Sequence, residues 1–236
     1  MNVLGFDCAG SGCSAAVLRD DKIAARRQKV MARGQAEFLM PMIADVLAEA
    51  DLPVERLDLI GVTIGPGGFT GLRIGIAAAR GLALAGGLPA VGITSFAAVA
   101  ASVDTEMQAD RSLIVALESK RAELYLQVFG ADGAARGEGA LVAPGDVADW
   151  LPDGGLLLAG DGAARLAAAI ADRHPAMAPG LGIPDAADIA KLAVVAWRSG
   201  KRPAPLRPLY LREPDATVPQ SRPQRSERRP SGATTQ

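Results

Sequence analysis

The stretch Ile64-Gly65-Pro66-Gly67-Gly68-Phe69-Thr70-Gly71-Leu72-Arg73-Ile74-Gly75 decides how the chain is read. Four of the seven residues from Gly65 to Gly71 are glycine, so the backbone there can take positive φ or approach another backbone closely. Pro66 stiffens the entry. Before this turn, Leu57 to Ile64 is a nearly continuous apolar run, the pattern of a strand covered on both faces. After it, Thr70 to about Ala85 has helical periodicity, and Gly86-Gly87 is a C-terminal stop. A strand, a glycine turn and a helix in that order put free N–H groups and a positive dipole end at the turn. Two readings stay open from local chemistry: a structural turn, or a contact with an anion or a partner. No Lys-Ser or Lys-Thr pair follows, so the turn is not a Walker loop.

Upstream of the turn, Val3 to Cys8, Cys13 to Arg19 and Ile23 to Val30 read as three antiparallel strands joined by tight turns. Gly34 to Ala50 follows as a helix with apolar residues at helical spacing and Pro41 inside it, which should bend it or mark its first turns. Downstream, Pro89 to Ile93 is a strand, and Thr94-Ser95 caps another helix. The order β-β-β-α-β-α-β-α is the half-unit of the actin/Hsp70/sugar-kinase architecture. Its echo begins near Ser112, with strands over Ser112 to Glu118, Ala122 to Phe129 and Leu156 to Leu158. Helices over Gly162 to Ala171 and Ile183 to Arg198 complete this second half. The expected fold class is α/β with two related βββαβαβα-type subdomains, residues 1–104 and 105–217, the second degenerate. A Pro- and Arg-rich tail, 218–236, reads as disorder.

The 236 residues are 49% hydrophobic and 22% charged, ordinary for a globular protein, with only 4% aromatics. Ala, Leu, Val and Ile must therefore pack the core. No window approaches the roughly 18 apolar residues of a membrane span, and the N-terminus lacks the pattern of a signal peptide. The expectation is a cytoplasmic protein with Cys8 and Cys13 as reduced thiols. Net charge is −1, but the tail from Val218 carries +3, leaving −4 for the remainder. A mildly acidic body is a poor platform for RNA, so any RNA would be held mostly by a partner.

Asp7 closes the first strand before a Ser/Gly turn. It reads either as a turn cap or as a group facing the phosphates or metal of a nucleotide. Ser11 and Ser14 are equally open. His174 is the only histidine, and with two thiols on one hairpin it cannot complete a zinc site. Arg73 and Arg80 fall seven apart on one helix face.

Together, Leu4-Gly5-Phe6-Asp7, Phe38-Leu39-Met40-Pro41-Met42-Ile43, the glycine stretch, Val91-Gly92-Ile93-Thr94-Ser95 and Pro208-Leu209-Tyr210-Leu211-Arg212 resemble the bacterial TsaB family. That family comprises accessory subunits in the making of tRNA N6-threonylcarbamoyladenosine. The resemblance spans roughly residues 1–217 and implies an actin/Hsp70-like (ASKHA) fold shared with the catalytic paralogue TsaD. In that paralogue two histidines four residues apart bind the metal. The same strand-helix step puts Ser95 and Val99 there in this chain, and neither can replace an imidazole. The resemblance therefore implies a scaffold without turnover that pairs with TsaD, recruits the ATPase TsaE and reaches tRNA only through the complex. The helices from Gly34 and Thr70 would carry the contact, through Phe38, Leu39, Met42, Ile43 and Val46 on one and Arg73, Ile76 and Arg80 on the other. The same helices would serve a homodimer of the free chain. No cofactor of its own is expected. ATP or ADP at the partner interface, or vestigially at Asp7, Ser11, Gly65, Gly67 and Gly68, is the expected nucleotide contact. Glu118-Ser119-Lys120 stands where the family usually has Asp-Ala-Arg, and Gly68 where it often has Ser. The rival reading is a nucleotide-dependent kinase or hydrolase using Asp7 and the glycine turn. An older metallopeptidase label conflicts with Ser95 and Val99.

Overall fold

A computed structural model describes residues 1–108, 110–180, 182–200 and 206–212. The first half opens with β1 (Asn2–Asp7), β2 (Gly12–Arg19) and β3 (Lys22–Val30), an antiparallel meander. Then come α1 (Gln35–Glu49), β4 (Leu59–Gly65), α2 (Phe69–Gly86), β5 (Ala90–Thr94) and α3 (Ser95–Ala101). β4 pairs parallel with β1, and β5 parallel with β4, giving the sheet order β3-β2-β1-β4-β5. β1 and β4 are buried almost end to end, as their unbroken apolar runs require. β3 is largely exposed and closes the edge with Lys22, Arg26, Arg27 and Lys29.

The second half begins with α4 (Thr105–Gln108), β6 (Arg111–Glu118), β7 (Leu124–Phe129) and β8 (Ala135–Val142). It continues through α5 (Val147–Trp150), β9 (Gly155–Ala159), α6 (Ala163–Ala169) and β10 (Ala176–Met177). Its sheet runs β8-β7-β6-β9-β10, the same order as the first. The degeneracy expected of this half lies mainly in its helices, though β10 also has only 2 residues against 5 in β5. α5 has 4 residues and α6 has 7, against 15 and 18 for α1 and α2. β8 was not foreseen, because Ala135-Arg136-Gly137-Glu138-Gly139 is polar and glycine-rich and lies on the exposed edge.

The last helix, α7 (Ala186–Arg198), departs from the expected division at residue 105. It packs through Ile189, Ala190, Ala193 and Val194 on the face of the first sheet opposite α1 and α2, beside Val3, Leu59 and Val91. It starts three residues later than expected. Pro184 keeps the chain extended, and Asp185 Oδ1 accepts the Ala187 N–H at 2.9 Å as an N-cap. Chain order therefore assigns α7 to the second half, while packing assigns it to the first. The disorder expected of 218–236 lies outside the described residues.

Gly5 in β1 lets α7 seat. A β-carbon there would stand 2.3 Å from the Ala186 carbonyl oxygen, a backbone atom that cannot rotate away. Gly5→Ala is expected to lower the unfolding free energy by about 1–3 kcal/mol in chemical denaturation. Gly81→Ala, in α2 with nothing within 4 Å of the new methyl, should instead raise it by about 0.5–1 kcal/mol.

Candidate functional site

The glycine turn joins β4 to α2 through a cis Gly65–Pro66 bond, with Gly65 at φ 110°. Its contacts are to the chain's own backbone. The Gly68 N–H donates to the Ala9 carbonyl at 2.7 Å. A β-carbon on Gly67 would lie 2.5 Å from Ala9 O, and one on Gly71 1.9 Å from Cys8 O. The Cys8 thiol donates to Gly71 O at 3.1 Å. The glycines thus set the first turn of α2 directly on the β1–β2 turn, where their missing side chains are needed for fit.

Asp7 secures the other side of this joint. It is 1% exposed, and its Oδ1 accepts both the Ala9 N–H at 2.9 Å and the Thr63 hydroxyl. Burial pushes its carboxyl up to about 6, against the opposing pull of these donors. Ser11 reaches across the molecule, its hydroxyl donating to Asp161 Oδ2 at 3.0 Å, while Asp161 Oδ1 accepts the Glu118 N–H at 2.9 Å. Of the five residues expected to meet a nucleotide, Asp7 is turned to the fold, Ser11 latches the two halves, and Gly65, Gly67 and Gly68 form the turn. The cleft between the halves, lined by Ser11, Gly67, Ser95, Glu118, Lys120 and Asp161 among others, is a cavity of ≈ 20 Å³. Ser95 and Val99 are 2% and 1% exposed on α3. Among the described residues no group of three or more His, Cys, Asp or Glu could hold a metal ion.

On the outer side of the same joint lies a groove of ≈ 440 Å³ between the N-termini of α1 and α2. Gly34 and Gly68 stand at the caps of these helices and supply no side-chain hydrogen bond to their first turns. Arg33 and Lys120 add positive charge, and the Phe69 ring adds an apolar wall. The chemistry suits a phosphate-bearing group.

The side chains expected at a partner interface divide in two. Leu39, Met42, Ile43, Val46 and Ile76 are 0–8% exposed and sit in the core beneath α1 and α2. This corrects the sequence expectation: helical periodicity marks the face that the sheet covers, so these five side chains are spent on the chain's own core. Phe38, Arg73 and Arg80 do lie on the outside. Lys29 covers the Phe38 ring at 3.8 Å. Arg73 lies 3.6 Å over the Phe69 ring and donates from Nε to the Tyr210 hydroxyl at 3.2 Å, and Phe69 stacks on Tyr210 at 5.6 Å. Arg80 donates to the Leu206 carbonyl. Residues 206–212 therefore form a strap along α2, pinned by the Leu209 N–H on Ile64 O at 2.7 Å and by buried Leu206. Sequence reading noticed Pro208 to Arg212 but could not place it, since seven irregular residues have no periodicity. The outer face of α2 then presents Ala77, Gly81, Leu84 and Ala85, with Leu84 86% exposed.

A family model described as TsaD, tRNA N6-adenosine threonylcarbamoyltransferase, matches residues 20–178. An uncharacterized protein of Mycobacterium tuberculosis (strain H37Rv) is 36% identical over 216 residues, 91% of this chain and 93% of its own. The tRNA threonylcarbamoyladenosine biosynthesis protein TsaB of Escherichia coli K12 is 30% identical over 132 residues, 56% of each chain. Among solved structures, YeaZ from Pseudomonas aeruginosa is similar at TM-score 0.76 and 28% identity, covering 89% of this chain and 99% of that one. Component A of the (R)-2-hydroxyglutaryl-CoA dehydratase of Acidaminococcus fermentans, at TM-score 0.52 and 12% identity over 83% and 98% of the two chains, shares the fold alone. The chain belongs to the family that the TsaD model describes, as a TsaB member with an actin/Hsp70-like fold.

The Asp7 environment sets a pH dependence. Between the ordinary carboxylate range, about 4, and about 6 the folded chain holds a proton that the unfolded chain has released. Stability from this group should therefore fall as pH rises through that window and level off above it. Asp7→Asn should remove that slope from a series of denaturant titrations between those pH values.

Proposed function

We propose that this TsaB-family chain is a scaffold and activator subunit, without turnover of its own, for synthesis of N6-threonylcarbamoyladenosine in tRNA. Its partner is the catalytic paralogue TsaD, and the pair recruits the ATPase TsaE in the cytoplasm. The observation that carries this reading is the outer face of α2. Ala77, Gly81 and Ala85 recur every four residues, so another helix can approach the backbone closely, and Leu84 projects beside them at 86% exposure. Phe69, Arg73 and Tyr210 extend that face as a preassembled aromatic–arginine cluster, a composition enriched at binding hot spots. In the free chain the same surface would support a homodimer.

The inner cleft supports the absence of turnover. A cavity of ≈ 20 Å³ closed by Ser11 and Asp161 is far smaller than a nucleotide, which weighs against a kinase or hydrolase working from Asp7. The place for ATP or ADP is instead the groove between the N-termini of α1 and α2. There Arg33, Lys120 and two uncapped helix ends would hold phosphates at the edge of the partner surface. The acidic balance outside the tail leaves tRNA to the partner.

Purified chain and the TsaD of the same organism should form a complex by size-exclusion chromatography. Leu84→Asp and Gly81→Arg should each weaken it at least about tenfold, the effect of losing about 1.4 kcal/mol, while leaving the circular dichroism unchanged. A modification assay omitting each subunit in turn should lose product without this chain. Full complex formation by both variants, or full modification in the chain's absence, would overturn the proposal.

A further inference from the structure

The floor of the inner cleft carries a polar group that the fold leaves unsatisfied. Ser95 is the first residue of α3 and is 2% exposed, and its hydroxyl oxygen finds no hydrogen-bond partner among the described residues. A buried hydroxyl in that position is unfavourable by roughly 1–3 kcal/mol. The neighbouring Thr94 hydroxyl already accepts the Ala97 N–H at 3.1 Å, so helix capping does not call on Ser95. Ser95 instead lines the ≈ 20 Å³ cavity between the halves, opposite Glu118, Lys120 and Asp161. The volume matches about one water molecule, which needs roughly 10–15 Å³ on this measure and two to four polar partners.

We infer that this cavity is a binding site for a single ordered water that joins the two halves. The water accepts the Ser95 hydroxyl proton from the first half and donates to a carboxylate oxygen of Asp161 or Glu118 in the second. Asp161 has the capacity: each of its oxygens accepts one bond, from Ser11 Oγ and from the Glu118 N–H, and an ionised carboxylate accepts about four. Lys120 supplies the positive charge on the cavity wall, which disfavours a cation in place of water. The site thereby completes the latch that begins with Ser11 and Asp161, and a phosphate group could enter only by breaking it. This inference concerns the cleft and stands independently of the partner proposed above.

A crystal structure of the full chain at about 1.3 Å, grown with and without magnesium ATP, tests it. The expected result is one isolated peak about 2.6–3.2 Å from Ser95 Oγ and from a carboxylate oxygen of Asp161 or Glu118, unchanged by ATP. Ser95→Ala should lose or displace that peak and lower the Tm by about 2–4 °C, the effect of one lost bridging bond in a chain of this size. Ser95 bonded directly to a protein carbonyl would overturn the inference. So would nucleotide density in the cleft, a peak with the crowded oxygen shell of a monovalent cation, or a Ser95→Ala protein with the same peak and the same Tm.

Discussion

The carbonyl oxygen of Cys8 lies 1.9 Å from where a β-carbon on Gly71 would stand, and most of the structure follows from that contact. No side chain can be interposed there, so the first turn of α2 rests on the backbone of the β1–β2 turn. Gly67 against Ala9 O and the Gly68 N–H on the same carbonyl repeat the approach four and three residues earlier. Asp7 holds the turn from below through the Ala9 N–H and the Thr63 hydroxyl. Sheet and helix meet as two rigid backbones, and the angle of α2 is fixed before any side chain packs. A glycine turn in this setting serves packing.

The same device recurs in the second half. Gly160, at φ 107°, has its β-carbon position 2.0 Å from the Ala116 carbonyl, and the Gly162 N–H donates to that oxygen at 3.0 Å. The turn after β9 therefore docks on β6 much as the turn after β4 docks near the end of β1. The two sheets share one strand order, while α5 and α6 are far shorter than α1 and α2. Strands cannot be lost singly, because each satisfies its neighbours' backbone groups. A helix satisfies its own, so it can shrink once its surface is no longer needed. The halves are then held by Ser11 on Asp161, by the Ser14 hydroxyl on Pro184 O at 3.1 Å, and by the return of α7 to the first sheet.

How much of this the sequence revealed depends on whether a feature has a period. α1, α2, β1, β4 and the meander were legible because burial imposes repeats of 3.6 and 2 on their apolar residues. β8 has no such repeat, since its first four residues are all exposed and Gly137 and Gly139 break it. The docking of α7 was illegible for a different reason. Its apolar face announces a helix on a sheet but not which sheet. The interface residues show the limit most sharply. Leu39, Ile43, Val46 and Ile76 stood out because they are periodic and apolar, and that signal marks the core. The residues α2 leaves exposed, Ala77, Gly81 and Leu84, look unremarkable in the string, because small side chains and one protrusion make no alternation. The strap of 206–212 depends on contacts 126 and 137 positions away in sequence and carries no local signal.

The two sides of the glycine joint have different capacities, and this difference separates the chain's fold from its use. On the inner side the backbones meet, Asp7 is buried and the halves close to a cavity of ≈ 20 Å³. On the outer side the same joint leaves two uncapped helix ends, Arg33 and Lys120 around ≈ 440 Å³ of open groove. Reopening the cleft would break the Ser11–Asp161 hydrogen bond between the halves. The first turn of α2 is fixed by backbone contacts, and a preset helix loses little conformational entropy when another surface packs against it. The contact between Cys8 and Gly71 sets the angle of α2, while Ser11 on Asp161 closes the inner side.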